Sequence, residues 1–125
     1  MVIIPDAGSN DLLEHKKLYD RDIDTLVLDH HELENTLNIA CIINNQTNDY
    51  PNKTLSGAGV VYKFCSYIDS IIGQNYAEDL LDLAAIGIIA DMMDLRNMET
   101  KELITLGLNH ICNPFLEAFV EKQSY

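Results

Sequence analysis

The sequence predicts an α/β domain, a three-layer Rossmann-like parallel sheet with helices on both faces, followed by a helical segment. Three observations predict it. Short apolar runs alternate with helix-like stretches in the first half of the chain, the order of a parallel layered fold. The second half carries only helical periodicity. Two of the apolar runs end directly in metal-capable residues, Asp6 after the first and Asp29-His30-His31 after the second. In open α/β sheets, ligands bind beyond the carboxyl ends of the strands.

The elements follow in order. Met1-Val-Ile-Ile-Pro5 is a short apolar strand, and Asp6–Asn10 is a turn in which Ser9 or Asn10 is available as a helix cap. Asp11–Tyr19 is a short helix with Leu12, the stem of Lys16 and Tyr19 on one face. Thr25-Leu-Val-Leu28 is a buried strand, and Asn38–Ile43 is a third strand. Asn44–Ser56 is polar, contains Pro51 and reads as a loop. Gly57–Gly59 opens a helix to about Ile72, whose apolar face is Val60, Val61, Phe64, Ile68, Ile71 and Ile72. Glu78–Asp91 is a helix, apolar nearly all round after Asp82 and therefore expected to be buried. Glu99–Ile111 is the last predicted helix, with Asn113-Pro114 as its stop.

The chain has 125 residues, enough for one core. No apolar stretch is long enough to span a bilayer, and the first residues do not read as a secretory leader, so a cytoplasmic setting is expected. The three cysteines, Cys41, Cys65 and Cys112, match no zinc or redox spacing and read as buried free thiols. The net charge of −12 has the wrong sign for gripping phosphate backbones unaided but suits the collection of divalent cations.

If the first two strands are parallel neighbours, Asp6 and His30 lie side by side. Carboxylate with imidazole is an oxygen–nitrogen donor set suited to Mn²⁺ or Mg²⁺ rather than to structural zinc. Phosphoester hydrolysis uses such a set, because charge builds on the phosphoryl oxygens and the leaving group. Asp-His-His alone also fits a solvated loop with a hydrogen-bonded histidine. Asp91, at the end of an apolar helix, is equally a capping or surface residue on local grounds. Gly57 and Gly59 read most simply as a tight entry into the helix, with a phosphate cradle as the alternative. Asp94 reads as solvated, and His15 and His110 as surface or satisfied histidines.

Taken together, four segments resemble the DHH phosphoesterases, most closely the RecJ-type single-strand DNA exonucleases. Pro5-Asp6-Ala-Gly-Ser-Asn10 is similar to that family's second motif. Thr25-Leu-Val-Leu-Asp-His-His-Glu32 is similar to its naming motif. Ile43-Asn44-Asn45 through Tyr50-Pro51, with Leu55–Val60, resembles the asparagine–proline loop and glycine-rich helix start. Leu80–Asp91, followed by Met92-Met-Asp-Leu95, resembles the fourth motif. The resemblance implies metal ligation by Asp6, His30 and Asp91, with Asp6 bridging two metals. It implies contact of His31 with the scissile phosphate and a supporting role for Asp29. It implies Mn²⁺ or Mg²⁺ as cofactor, and single-stranded DNA or a short oligonucleotide as partner.

The resemblance also implies what is missing. The family's first motif, Asp-x-Asp after a strand, belongs upstream of Asp6, and a C-terminal substrate-binding domain belongs downstream. Residues 1–125 are therefore expected to be a partial DHH domain, truncated at the N-terminus and weakly active or inactive alone. An exposed strand edge and association, with itself or with a complementary segment, are expected to follow. Activities held open beside the exonuclease are oligoribonuclease or cyclic-dinucleotide phosphodiesterase chemistry, and a non-catalytic metal- or partner-binding module.

Overall fold

The computed structural model describes residues 1–34, 39–47 and 49–123. Three parallel strands, β1 (Val2–Pro5), β2 (Thr25–Asp29) and β3 (Cys41–Asn44), form one sheet in the order β1-β2-β3. The register sets Pro5 beside Leu28 and Asp29 beside Asn44, so all three strands end level. That level edge is where the polar residues begin. The third strand starts later than expected, and Asn38 lies outside the described residues.

β2 is buried on both sides, as its apolar run requires. On one side Leu28 joins Leu55, Val60, Leu81, Ile88 and Leu103 in the core. On the other, Val27 faces Gly8, Ile4 and the buried ring of His15. Burial of a Leu or Ile side chain contributes roughly 1.5–3 kcal/mol, so this two-sided packing holds the strand ends in place.

Helix α1 (Leu12–Tyr19) lies on the His15 side. Its inward residue is His15, not Lys16 or Tyr19, both of which are exposed. The buried face is therefore rotated by about one position from the expected one. Asp11 precedes the helix without a side-chain cap; Ser9 and Asn10 are used elsewhere. Asn10 Nδ2 donates to Glu32 O, and Asn10 Oδ1 accepts from Glu34 N, bracing the segment after β2.

Helix α2 (Gly57–Ile72) and helix α3 (Leu81–Ala90) pack on the opposite face, and α3 packs on helix α4 (Met98–Asn109). Ser56 caps α2 by accepting from Gly59 N. Small residues set these crossings: a Cβ on Gly87 would sit 2.4 Å from Ala58 Cβ, and one on Gly107 would sit 2.4 Å from Leu81 O. The predicted apolar face of α2 holds only in its first half. Ile68, Ile71 and Ile72 are exposed, while Asp69 is buried and accepts from Ala77 N. The helix predicted over Glu78–Asp91 divides into a 3₁₀ turn, Tyr76–Leu80, and α3. Contrary to expectation α3 is not buried all round: Leu83, Ile86 and Ile89 are exposed.

Asn113-Pro114 starts a helix as well as ending one. Pro114 is the first residue of helix α5 (Pro114–Gln123), where a missing N–H costs nothing. Asn113 Oδ1 accepts from Phe115 N and Leu116 N. The connection is anchored by buried Asp82, whose Oδ2 accepts from Cys112 N and Asn113 N. The cysteines depart from the expected burial: Cys41 is exposed, and Cys65 and Cys112 are half-buried. Among the described residues no single helix is long and apolar enough to cross a membrane.

Candidate metal centre

Asp6 is the first residue past β1, in the left-handed region at φ 61°. Aspartate tolerates that conformation better than most side chains. Its backbone N–H donates to Leu28 O at 2.8 Å, which ties it to the end of β2. Helix α2 starts directly against its carboxylate. A Cβ on Gly57 would fall 1.9 Å from Asp6 Oδ1 and 2.8 Å from Asp6 Cβ. Glycine is needed at 57 for space, since its φ is not positive; the tight entry predicted for it is not the reason. The phosphate cradle considered for this helix start loses one donor, because Gly59 N–H is committed to Ser56 Oγ.

His30 follows β2 with its side chain largely buried. Its Nε2 lies 3.4 Å from Asp6 Oδ1 and 3.6 Å from Asp91 Oδ2. Asp91 ends α3, and its N–H closes on Gly87 O. A carboxylate at a helix C-terminus faces the negative end of the helix dipole; a cation beside it offsets that mismatch.

His31 Nδ1 lies 2.7 Å from Asp29 Oδ1, and its ring centroid is 4.5 Å from that of His30. Ligand atoms of Asp6, His30 and His31, one from each, lie within 4.8 Å of one another. With Nδ1 engaged by Asp29, the remaining donor of His31 is Nε2. The structure thus brings together all five residues singled out in the sequence. His30 is the hub, Asp6 and Asp91 flank it, and the Asp29-His31 pair lies beside it.

Asp29 is 1% exposed. Burial pushes its carboxyl up, but hydrogen bonds from His31, from Ser9 and from the His30 backbone outweigh that and hold it well below the usual carboxylate range. Ser9 N donates to Oδ2 at 3.0 Å and His30 N to Oδ1 at 2.7 Å. Asp29 is therefore an ionised anchor. The hydrogen bond to Asp29 raises the His31 imidazole above its ordinary value, with burial opposing and the charges of Asp29, Asp6 and Asp91 assisting. Of the other predicted histidines, His15 is a core residue and His110 is exposed. Asp94 stays near the surface and pairs with Arg96.

The donor set fits a hard divalent cation. The donor atoms that lie together are those of Asp6, His30 and His31, an oxygen–nitrogen set suited to such an ion, and Asp91 Oδ2 approaches the group through His30 Nε2 at 3.6 Å.

A model of the DHH family, N-terminal domain, matches residues 1–88. The chain belongs to the DHH family. Among DHH relatives, it is 47% identical over 126 residues to a protein named as an SPbeta prophage-derived single-strand DNA-specific exonuclease, YorK, of Bacillus subtilis (strain 168). That match covers 100% of this chain and 22% of YorK. It is 33% identical over 114 residues to the single-stranded-DNA-specific exonuclease RecJ of the same organism, covering 89% of this chain and 14% of RecJ. The fold matches RecJ in complex with Mn²⁺ from Thermus thermophilus, with a TM-score of 0.82 at 24% identity. That match spans 98% of this chain and 19% of the solved one. A second RecJ structure, bound to manganese, matches with a TM-score of 0.78 over 86% of this chain and 28% of that one. The chain therefore spans only a minor part, from 14% to 28%, of the length of each of these four proteins.

Proposed function

We propose that this DHH chain is the part of a catalytic domain that carries the second, third and fourth motifs of a metal-dependent phosphodiesterase acting on single-stranded DNA. The observation that carries the reading is the position of His30 Nε2 between the carboxylates of Asp6 and Asp91, at the level carboxyl edge of a parallel sheet. The names of the relatives, single-strand DNA-specific exonucleases, support the substrate class.

In this reading Asp6, His30 and Asp91 hold Mn²⁺ or Mg²⁺. A divalent cation in that place supplies charge stabilisation at the phosphate and lowers the pKa of a bound water. His31 contacts the scissile phosphate. Its Nδ1 is engaged by Asp29, which leaves Nε2 to face a phosphoryl oxygen. Asp29 keeps the ring oriented and ionisable, the duty of a buried carboxylate behind a histidine. The Asp6 backbone is tied to the end of β2, and the missing side chain at Gly57 leaves its carboxylate room beside His30.

Calorimetric titration with Mn²⁺ tests the reading. Wild type is expected to bind, and His30→Ala and Asp91→Ala to lose binding. Absence of binding by wild type would favour a structural or partner-binding module. On single-stranded oligonucleotides the pure 125-residue chain is expected to release little or no mononucleotide, because it spans only a minor part of the exonucleases it resembles. Robust Mn²⁺-dependent degradation overturns that expectation. Cyclic dinucleotides and short oligoribonucleotides in the same panel separate the other activities of the family.

The reading extends to association. β1 borders the described sheet, Val2 and Ile3 are exposed, and Pro5 and Asp6 at its end line a mostly apolar groove of about 340 Å³ with Ala58, Val61, Tyr62 and Leu83. An apolar edge of this kind favours pairing with a second copy or with a segment that completes the sheet. Sedimentation as a clean monomer at high concentration counts against it.

A further inference from the structure

His30 and the residues just after it belong to no strand or helix, so no backbone ladder fixes them. Their geometry has to come from side chains. The end of β3 and the loop after it supply two. Asn44 is 5% exposed. Its Nδ2 donates to Ser9 Oγ at 2.9 Å and to His31 O at 3.0 Å. Its Oδ1 accepts from Gln46 N at 2.8 Å. Gln46 Nε2 in turn donates to His30 O at 3.2 Å and to Lys53 O at 2.8 Å.

The direction of the Asn44 amide is fixed by its partners. Flipped, its oxygen would face His31 O and its NH₂ would face the Gln46 N–H. The assigned orientation has a consequence two bonds away. Ser9 Oγ accepts from Asn44, and the Ser9 backbone N–H donates to Asp29 Oδ2. Asp29 then holds His31 Nδ1. Asn44 therefore reaches His31 twice, through the carbonyl directly and through Ser9 and Asp29 to the ring. Gln46 holds the carbonyl of the adjacent hub residue.

We propose that Asn44 and Gln46 are positioning residues of the metal centre, clamping the carbonyls of His30 and His31 so that both imidazoles face Asp6 and Asp91 before any ligand arrives. The proposal rests on the metal-binding reading, and it adds the end of β3 and the loop after it to a site otherwise built from β1, β2 and α3.

The test uses the full chain with Asn44→Ala and Gln46→Ala, and Leu103→Ala, on helix α4, as a stability control. Two quantities are measured. Amide hydrogen exchange of His30 and His31, whose N–H groups donate to Asp29, is followed by NMR without metal. Mn²⁺ affinity is followed by calorimetry. Asn44→Ala is expected to accelerate exchange at those two amides by about ten-fold or more, with helix α4 amides unchanged. It is expected to weaken Mn²⁺ binding by roughly 10- to 100-fold, the usual effect of losing a partner behind a ligand. Gln46→Ala is expected to act in the same direction, less strongly, and it carries the test if Asn44→Ala fails to fold. Leu103→Ala is expected to lower the melting temperature and leave both quantities unchanged. Asn44→Asp keeps the shape and the acceptor but loses both donors, and is expected to accelerate exchange as Asn44→Ala does. Unchanged exchange in the variants overturns the proposal. So does accelerated exchange with Mn²⁺ affinity intact. If wild type binds no Mn²⁺ while exchange accelerates, the clamp stands and the metal reading fails.

Discussion

Gly57→Ala isolates the contact on which the placement of Asp6 depends. The added Cβ would lie 1.9 Å from Asp6 Oδ1, 2.6 Å from its Cγ and 2.8 Å from its Cβ. Non-bonded carbon atoms rest about 3.5 Å apart or more, so the Asp6 side chain must retreat by roughly 1 to 1.5 Å. Its backbone cannot follow freely, because the N–H is bonded to Leu28 O. The carboxylate, 60% exposed, can swing into water instead. Overpacking costs about 1–3 kcal/mol where a core cannot yield; here the carboxylate can leave, but Asp6 Cβ, 2.8 Å from the added carbon, moves only with the backbone, so part of that cost remains. Alanine also recovers about 0.5–1 kcal/mol of helix propensity at the start of α2. The fold should therefore keep its stability to within about 1 kcal/mol, balancing those two effects. The cation site should not, since a misplacement of about 1 Å in a positioned group costs on the order of 10²-fold. Thermal melts paired with Mn²⁺ calorimetry check both halves. Wild-type affinity in a folded Gly57→Ala protein would refute the placement of Asp6 at the cation.

Two predictions concern the scaffold. Asp82→Ala strands the N–H groups of Leu83, Cys112 and Asn113 and should cost about 2 kcal/mol, read as the shift of a urea melt. Burial raises the Asp82 carboxyl, but those three N–H groups outweigh it and hold it below the ordinary value. A depressed folded-state value gives stability that is complete above about pH 4, the unfolded value, and is lost as pH falls through the folded one. Wild type should therefore lose stability in that acid range more steeply than Asp82→Ala, and parallel curves would contradict the assignment. Gly107→Ala would set a Cβ 2.4 Å from Leu81 O and 2.6 Å from Ala85 Cβ, both on the backbone-tight crossing of α3 and α4. Helices cannot swing aside as a surface carboxylate can, so a loss of about 1–3 kcal/mol is expected, and a neutral substitution would show that the crossing relaxes.

Much of the fold was legible because burial leaves a mark in composition. β2 shows as an uninterrupted apolar run that stops at Asp29, and the chemistry-bearing residues follow each strand end in a register that parallel pairing makes level. Other features depend on partners far away in the chain. Nothing local distinguishes Ser9 or Asn10 from a helix cap, because their partners, Asp29 and Glu32, lie 20 and 22 residues on. Gly57 needs no unusual φ, so its reason exists only once Asp6 is in place. The inward turn of His15 and the outward turn of Ile71 and Ile72 follow from which neighbours each helix meets, which periodicity alone does not encode. Asn-Pro reads equally as a stop and a start, and only the bonds from Asn113 to Phe115 and Leu116 show that it opens helix α5.

The most direct check on the central claim is crystallographic: soaking the protein with Mn²⁺ and collecting anomalous data at the manganese edge. A peak is expected about 2.0–2.3 Å from side-chain atoms of Asp6, His30 and Asp91 together. A peak bound elsewhere, or those three side chains turned apart with the ion absent, would contradict it.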